Sequence, residues 1–325
     1  MLKTKFTFLL LLSPLALQGD QISFSFYNDF FAGSDKHFSN GGALSWLDED
    51  NSSSNYTNFL LDITNALSIN LDKSKNYNAG ITLSQITITP ENTNLQTIQY
   101  EDMPYAGYAA LSTYLLQWDE KKFCEYKISL GVVGKEAMSE EIQKSFHKLI
   151  DNKEPKGWNT QLKTQYTINF LLQYGEITWE SQNNNSFHID WFNHFGATLG
   201  NFNTTAFGGS ILRLGKNYAK NFNTHYPYLA DEASLIELDT HHEGFGWSLN
   251  GGVDGQLLAY SYVLDEAQKE GYNSDKNLLS ASLYFGGDLY YFNHKLSLFY
   301  QSQSPYTKAE TKTDFFGGIV YAYRF

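Results

Sequence analysis

Ile319-Val320-Tyr321-Ala322-Tyr323-Arg324-Phe325 closes the chain. Alternate residues counted back from Phe325 are Phe, Tyr, Tyr and Ile, so one face of an extended segment stays aromatic and apolar to the last residue. On a soluble protein such a final strand leaves an unpaired edge that templates aggregation. It has instead the form of the terminal strand by which bacterial outer-membrane barrels are taken up for insertion, with Phe325 as the residue read. Period two persists upstream, in Leu296-Ser297-Leu298-Phe299-Tyr300, Leu279-Ser280-Ala281-Ser282-Leu283, Ile86-Thr87-Ile88-Thr89, Ile81-Thr82-Leu83-Ser84 and Ile22-Ser23-Phe24-Ser25-Phe26. Such alternation sets apolar side chains on one strand face and polar ones on the other. In a soluble sandwich the apolar face meets a second sheet; in an outer-membrane barrel it meets lipid and the polar face lines the interior.

Three features favour the barrel. The strands are about 10–16 residues long, longer than sandwich strands. Aromatics gather near strand ends, at Tyr290-Tyr291-Phe292, Tyr300, Tyr306 and Phe315-Phe316, as interfacial girdles require. The other chain end reads as a secretory signal peptide over 1–19: Lys3 and Lys5 form a basic start, Phe6 to Leu17 an apolar run too short to span a bilayer, and Gln18-Gly19-Asp20 a processing point. The expected mature domain, 20–325, is all-β: a transmembrane antiparallel barrel in the outer membrane of a Gram-negative bacterium. The expected strands are 20–31, 37–48, 77–90, 104–119, 121–134, 159–174, 186–199, 204–216, 243–262, 278–292, 294–303 and 312–325. Twelve is even, as a single-chain bacterial barrel needs. Asn51-Ser52-Ser53-Ser54-Asn55 and Gln182-Asn183-Asn184-Asn185-Ser186 are turn signals. Residues 217–242 and 264–277 read as long loops at the outer face. No internal repeat or second domain is visible.

Composition narrows the function. Of 325 residues, 42% are hydrophobic, 16% aromatic and 18% charged. No mature segment has about 18 consecutive apolar residues, which excludes a helical membrane protein. The aromatic load excludes disorder. The net charge of −12 argues against nucleic acid. A lone cysteine, Cys124, excludes an internal disulfide framework and a cysteine zinc site. Serine-hydrolase elbow, zinc-helix and phosphate-loop motifs are absent.

One segment breaks the strand pattern. Within Glu136–Asn152, Met138, Ile142, Phe146, Leu149 and Ile150 recur at helical spacing. Ser139 is placed to cap, Glu140 and Glu141 suit the first turn, and Pro155 lies beyond the end. A helix of about 13 residues in an outer loop is predicted. It serves either as a plug over the barrel mouth or as part of a site. Gln143 and His147, four apart, share a face of it. A lone histidine near an apolar stripe is more often structural than catalytic; its loop helix over a barrel wall gives His147 weight. The second cluster is Tyr27-Asn28-Asp29, where alternation fails. Polar groups at lipid level are costly unless they serve a site, and these oxygens suit a hard cation such as Ca²⁺ or a satisfied interior network. Ser39 and Asn40, entering the second strand, are expected beside Asn28 and Asp29. In Asp102-Met103-Pro104-Tyr105-Ala106-Gly107-Tyr108, Gly107 permits close backbone approach.

Taken together the motifs resemble those of the outer-membrane lipid A 3′-O-deacylases, the LpxR family. Tyr27-Asn28-Asp29-Phe30-Phe31 with Asp35-Lys36-His37-Phe38-Ser39-Asn40-Gly41 resembles that family's opening signature, and Pro104-Tyr105-Ala106-Gly107-Tyr108 its Pro-Tyr-Ala-Gly-Trp turn. Leu130-Gly131-Val132-Val133-Gly134, Gln143-Lys144-Ser145-Phe146-His147 and Pro155-Lys156-Gly157-Trp158-Asn159-Thr160-Gln161-Leu162 resemble its central block. The match runs over 20–165. The resemblance implies a Ca²⁺-dependent hydrolase acting on lipid A or lipopolysaccharide in the outer leaflet and removing the 3′-linked acyloxyacyl group by ester hydrolysis. It implies His147 as activator of water, Asn28 and Asp29 at the metal and oxyanion, Ser39 in place of the family's threonine, and Gln143 in the site. Met103 replaces a common arginine, Glu91-Asn92-Thr93-Asn94-Leu95 stands where some members carry basic residues, Lys135 replaces a proline, and Glu154 is offset from an acidic site residue. These departures touch how phosphate or sugar is gripped. Two other readings stay open: an outer-membrane phospholipase with Ser39 as nucleophile and His147 as base, and a non-catalytic small porin or adhesin. The protein is read as a monomer whose partners are lipid A and the insertion machinery.

Overall fold

The computed structural model describes residues 20–32, 37–48, 55–66, 74–181, 187–219 and 242–325, with residues 69, 71, 72 and 222 besides. The expected signal peptide over 1–19 lies outside the described residues. The described strands are β1 (Gln21–Asn28), β2 (His37–Asp48), β3 (Asn76–Thr89), β4 (Ala106–Trp118), β5 (Lys122–Val133), β6 (Gln165–Glu180), β7 (His188–Gly200), β8 (Asn203–Lys216), β9 (His242–Ser261), β10 (Leu279–Phe292), β11 (His294–Gln303) and β12 (Asp314–Arg324). Each pairs antiparallel with its sequence neighbour, and β1 pairs β12 from Gln21↔Arg324 to Asn28↔Gly317, closing one barrel. The twelve-stranded barrel expected from alternation is the observed fold.

The two faces of each strand have opposite chemistry. In β1, Ser23, Ser25 and Tyr27 point inward and are buried, while Ile22, Phe24 and Phe26 point outward and Phe24 is 50% exposed. The same alternation leaves Leu83, Leu111, Leu130, Phe170, Phe195, Leu283 and Leu298 on an exposed outer belt. An apolar surface that continuous is solvated by lipid, not water. Inward residues, among them Tyr27, Tyr108, Phe192, Tyr284 and Phe299, join one buried cluster. Tyr108 stacks on Phe202 at 3.7 Å. Buried polar groups meet partners inside: Arg213 donates from two nitrogens to the two Asp190 oxygens at 2.8 Å each, and Tyr218 donates its hydroxyl to the same carboxylate. Asp288 accepts from Ser248, Asn250 and Ser297. The barrel interior is a packed core.

Strand direction alternates, so connections alternate between two ends. The chain termini and the short connections 119–121 and 293 lie at one end. The connections 90–105, 134–164 and 262–278 lie at the other. Short turns mark the periplasmic side, which assigns the terminus end to it, although the long β2–β3 and β8–β9 connections join strands at that end too. Outward-facing Trp46, Trp179, Trp191 and Trp247 sit at the terminus end, as a girdle requires. Phe316, Tyr290 and Tyr306, read above as girdle residues, instead point inward and are buried.

Four other expectations are corrected. The connection read over 217–242 as an outer loop joins β8 and β9 at the periplasmic end, because β8 runs toward that end and β9 away from it; 220, 221 and 223–241 lie outside the described residues. Strand β1 stops at Asn28, where a 3-10 turn (Asp29–Ala32) begins. Strand β6 runs over 165–180 and not 159–174, because a 3-10 turn at Trp158–Thr160 and the bond from the Leu162 amide to the Tyr105 carbonyl hold the preceding chain in a loop. Two helices go beyond the strand reading: α1 (Asn55–Ala66), between β2 and β3, and α3 (Tyr262–Lys269), between β9 and β10. Ser261 caps α3, accepting from the Leu264 amide while its own amide donates to Asp265. The predicted outer-loop helix is present as α2 (Ser139–Leu149), preceded by a 3-10 turn at Lys135–Ala137.

Candidate functional site

The register carries a polar row across the outside of the wall. Asn28 points outward, opposite the inward Tyr27. It pairs with Asn40 of β2, Asn40 with Thr87 of β3, and Thr87 with Gly107 of β4. Cross-strand partners share a face, so this row stands on the surface that elsewhere meets lipid. Yet Asn28 and Asn40 are each 3% exposed and Thr87 is fully buried. A cover lies over them.

That cover is α2. Its three buried residues are Ser139, Gln143 and His147, successive members of an i, i+4 stripe. Its apolar residues turn outward instead: Leu149 is 81% exposed and Ile142 42%. The helix is amphipathic in the sense opposite to that of a helix covering a soluble core. The pattern fits a helix with its polar face on a polar patch of wall and its apolar face at lipid level. Three contacts fix it there. The Gln85 amide donates to the Ser139 hydroxyl, which also reaches the Ile86 carbonyl. Gly107, lacking a Cβ, makes room for the Ser139 side chain, the close approach anticipated at that glycine. Phe146 packs on the outward Phe26 of β1, ring centroids 5.6 Å apart, bringing the C-terminal half of α2 to the end of β1. Ser139 does not cap the helix as anticipated: Met138, in a left-handed conformation, occupies the N-cap, and the serine hydroxyl is used for docking.

The local chain orients both polar side chains. After α2 the backbone reverses through Asp151 at φ 55°, with the Asn152 amide donating to the His147 carbonyl. This return sets the Lys153 carbonyl 2.6 Å from His147 Nδ1. A carbonyl only accepts, so Nδ1 carries a proton, and in the neutral ring the lone pair is then on Nε2. Trp158, 2% exposed, donates its indole N–H to Gln143 Oε1 at 2.9 Å and stands edge-on to Tyr105. The Gln143 amide nitrogen is buried without a hydrogen-bond partner among the described residues. Beneath lies the rest of the loop scaffold: Gly157 leaves space for the Tyr105 ring, and the Lys156 amide donates to the Thr93 carbonyl. Lys144 is committed to the loop: the hydrogen-bonded Glu140 carboxylate holds its ammonium above the ordinary lysine range, with Glu154 adding to the effect.

Gln143 and His147 therefore face the wall on the side of the polar row that ends at Asn28, and Asp29, 3% exposed, is the next residue after Asn28. The backbone of Ser39 is the extra residue of a bulge between Phe38 and Asn40; its side chain lies outside the described residues. Among the described residues no three His, Cys, Asp or Glu side chains cluster as metal ligands. The oxygens at hand are one carboxylate and neutral amide and hydroxyl groups, a hard, low-charge donor set. The expected placement of Asn40 beside Asn28 is observed. Sequence reasoning missed Trp158, Tyr105 and Thr87: Trp158 and Tyr105 stood in quoted motifs without a role, and Thr87 is revealed by register.

A sequence model of the family described as outer membrane protein LpxR matches residues 5–325. The chain belongs to the LpxR family. Among solved structures, LpxR from Salmonella typhimurium is similar with a TM-score of 0.74 at 15% identity, over 94% of this chain and 100% of that one. At that identity the likeness concerns the fold. The β domain of the Bordetella autotransporter BrkA gives 0.45 at 10% identity, over 94% of this chain and 99% of that one. No curated protein matches this chain. An LpxR-family barrel is an integral outer-membrane protein.

Proposed function

We propose that this LpxR-family member is a lipid A 3′-O-deacylase that hydrolyses the ester of the 3′-linked acyloxyacyl group at the outer leaflet. One observation carries the reading: α2 presses a buried polar stripe, Gln143 and His147 included, onto a polar row on the membrane-facing wall. A substrate whose ester sits at the lipid–water boundary reaches such a site without leaving the membrane.

The proposed roles are these. His147 Nε2 accepts a proton from water while the Lys153 carbonyl holds the ring and its tautomer. The water oxygen bonds to the ester carbonyl carbon, the carbon–oxygen bond to the sugar breaks, and the imidazolium returns its proton to the departing 3′ oxygen. Free acid and a lipid A hydroxyl result. General base catalysis of this kind contributes roughly 10²–10⁴-fold. Gln143 offers its otherwise unpartnered buried amide N–H to the oxygen of the tetrahedral intermediate. Asn28 and Asp29 would hold Ca²⁺, which when bound supplies positive charge against the developing oxyanion.

The test uses purified protein and lipopolysaccharide in detergent, with released fatty acid as readout. Release should stop in chelator and return with Ca²⁺. Chelator-insensitive release would remove the metal from the account. The serine-nucleophile reading separates cleanly. With water as nucleophile, Ser39→Thr keeps substantial activity, and Ser39→Ala loses about 1–3 kcal/mol of transition-state stabilisation. Covalent labelling of Ser39 by a phosphonate together with complete loss in Ser39→Ala would establish an acyl-enzyme instead.

A further inference from the structure

The periplasmic end carries a second helix on the lipid-facing wall. Helix α1 stands in the β2–β3 connection, at the end of the barrel opposite α2. It is held near its N-terminus by polar and aromatic contacts. The Tyr56 hydroxyl meets Thr113 Oγ1 of β4 at 2.5 Å, Thr57 donates to Asp48 at 3.1 Å, and the Tyr56 ring packs on Trp46 at 5.6 Å. Thr113 and Trp46 both face out of the barrel. The helix is therefore strapped to the outside of the wall, at the level of the periplasmic aromatic girdle.

Beyond those straps the helix stands off. A groove of about 450 Å³ opens between Leu60 and Ile63 of α1 and Leu115, Ile128, Leu172 and Leu199 of the belt. Leu60, Ile63 and the outward wall residues make it almost wholly apolar. Water has no partners in such a space, and leaving it empty forfeits the dispersion contacts of both walls. Phe59, which is not in the groove, is 57% exposed, so the helix is dressed for lipid on its free side too. Beside Trp46, where α1 is anchored, the surrounding medium is the acyl layer of the inner leaflet, and the groove runs from there up the wall to Leu199, near the outer end of β7.

We propose that the groove holds one acyl chain of an inner-leaflet glycerophospholipid, clamped between α1 and strands β4–β7. Its occupant is set by place: in a bilayer the filler available to an apolar slot on the outer belt is the chain of an adjacent lipid. The groove opens at the end opposite His147 and runs over β4–β7, whereas α2 docks at the outer ends of β1, β3 and β4, so the bound chain is separate from the candidate substrate.

The test is photolabelling of the full-length protein in vesicles of phosphatidylethanolamine and phosphatidylglycerol. A small fraction of the phosphatidylethanolamine carries a diazirine in its acyl chain, and adducts are mapped by peptide mass spectrometry. Labelling should concentrate on 55–66 and the facing β6–β7 residues, above the level on Leu283 and Leu298 across the belt. Ala197→Trp, which fills the groove from the wall, should bring 55–66 down to the far-belt level while leaving Leu283 and Leu298 unchanged. Ile63→Trp, which fills it from the helix, should do the same, and heat-modifiable migration on a gel shows that each variant is folded. Even labelling around the belt in the unmodified protein, enrichment untouched by both tryptophans, or a crosslink from 55–66 to a second copy of the chain would each overturn the proposal.

Discussion

His147 illustrates how a single residue acquires a role from main-chain geometry. Its ring is oriented by the Lys153 carbonyl, brought back by the left-handed turn at Asp151, and not by a carboxylate. His147→Ala should lower deacylation by roughly 10²–10⁴-fold without altering heat-modifiable migration, because the side chain lies outside the strand ladder. Retained activity in a folded barrel would end its role as base. Trp158 acts through Gln143. Trp158→Phe keeps the aromatic packing on Tyr105 and removes one hydrogen bond of about 0.5–1.5 kcal/mol, so the rate should fall up to roughly tenfold with the barrel intact. An unchanged rate would show that the indole N–H does not position Gln143. Asp29→Asn keeps the shape and removes the carboxylate. Its activity should not return when Ca²⁺ is raised, and full activity at ordinary Ca²⁺ would separate Asp29 from the metal.

At the level of elements, the site is a joint between α2 and the wall, and Gly107 is its tightest point. A Cβ there collides with the Ser139 side chain. Gly107→Val should displace α2 and abolish deacylation while the barrel still forms, since the ladder β3–β4–β5 needs no glycine at that position. Loss of the folded form on a gel would show instead that the glycine serves the barrel. The helix itself was legible from apolar spacing, but not the direction it faces. Met138, Ile142 and Leu149 suggest a buried apolar stripe in water; beside a membrane they stay outside and the polar stripe is buried. The pairing of Asn28 with Asn40 followed from motif order, whereas the continuation to Thr87 needed the observed register. Helix α1 was hidden because Asn51–Asn55 reads as a turn, and its apolar residues are too few for a strong helical period. Strand β6 was misplaced because Trp158–Leu162, apolar enough for a strand, is drawn into the loop scaffold behind Gln143.

The whole molecule is a barrel filled inside and lipid-facing outside, with the candidate site on its outer surface. Period two made that architecture readable end to end, because each strand repeats one instruction. What alternation could not convey is that the inward face is a packed core and not a channel. The buried Arg213–Asp190 pair is part of that filling: Arg213→Met strands a buried carboxylate and should cost about 3–5 kcal/mol, lowering the temperature at which the folded form is lost on a gel. A variant as stable as the parent would show that the pair contributes nothing to the core. The central claim is that this barrel removes the 3′-linked acyl group of lipid A by means of His147. The direct measurement is mass spectrometry of lipid A from Gram-negative cells expressing the protein, the His147→Ala variant or neither. The account predicts lipid A lighter by the 3′ acyloxyacyl group only with the unmodified protein; lipid A identical in all three, or shortened equally by the variant, would contradict it.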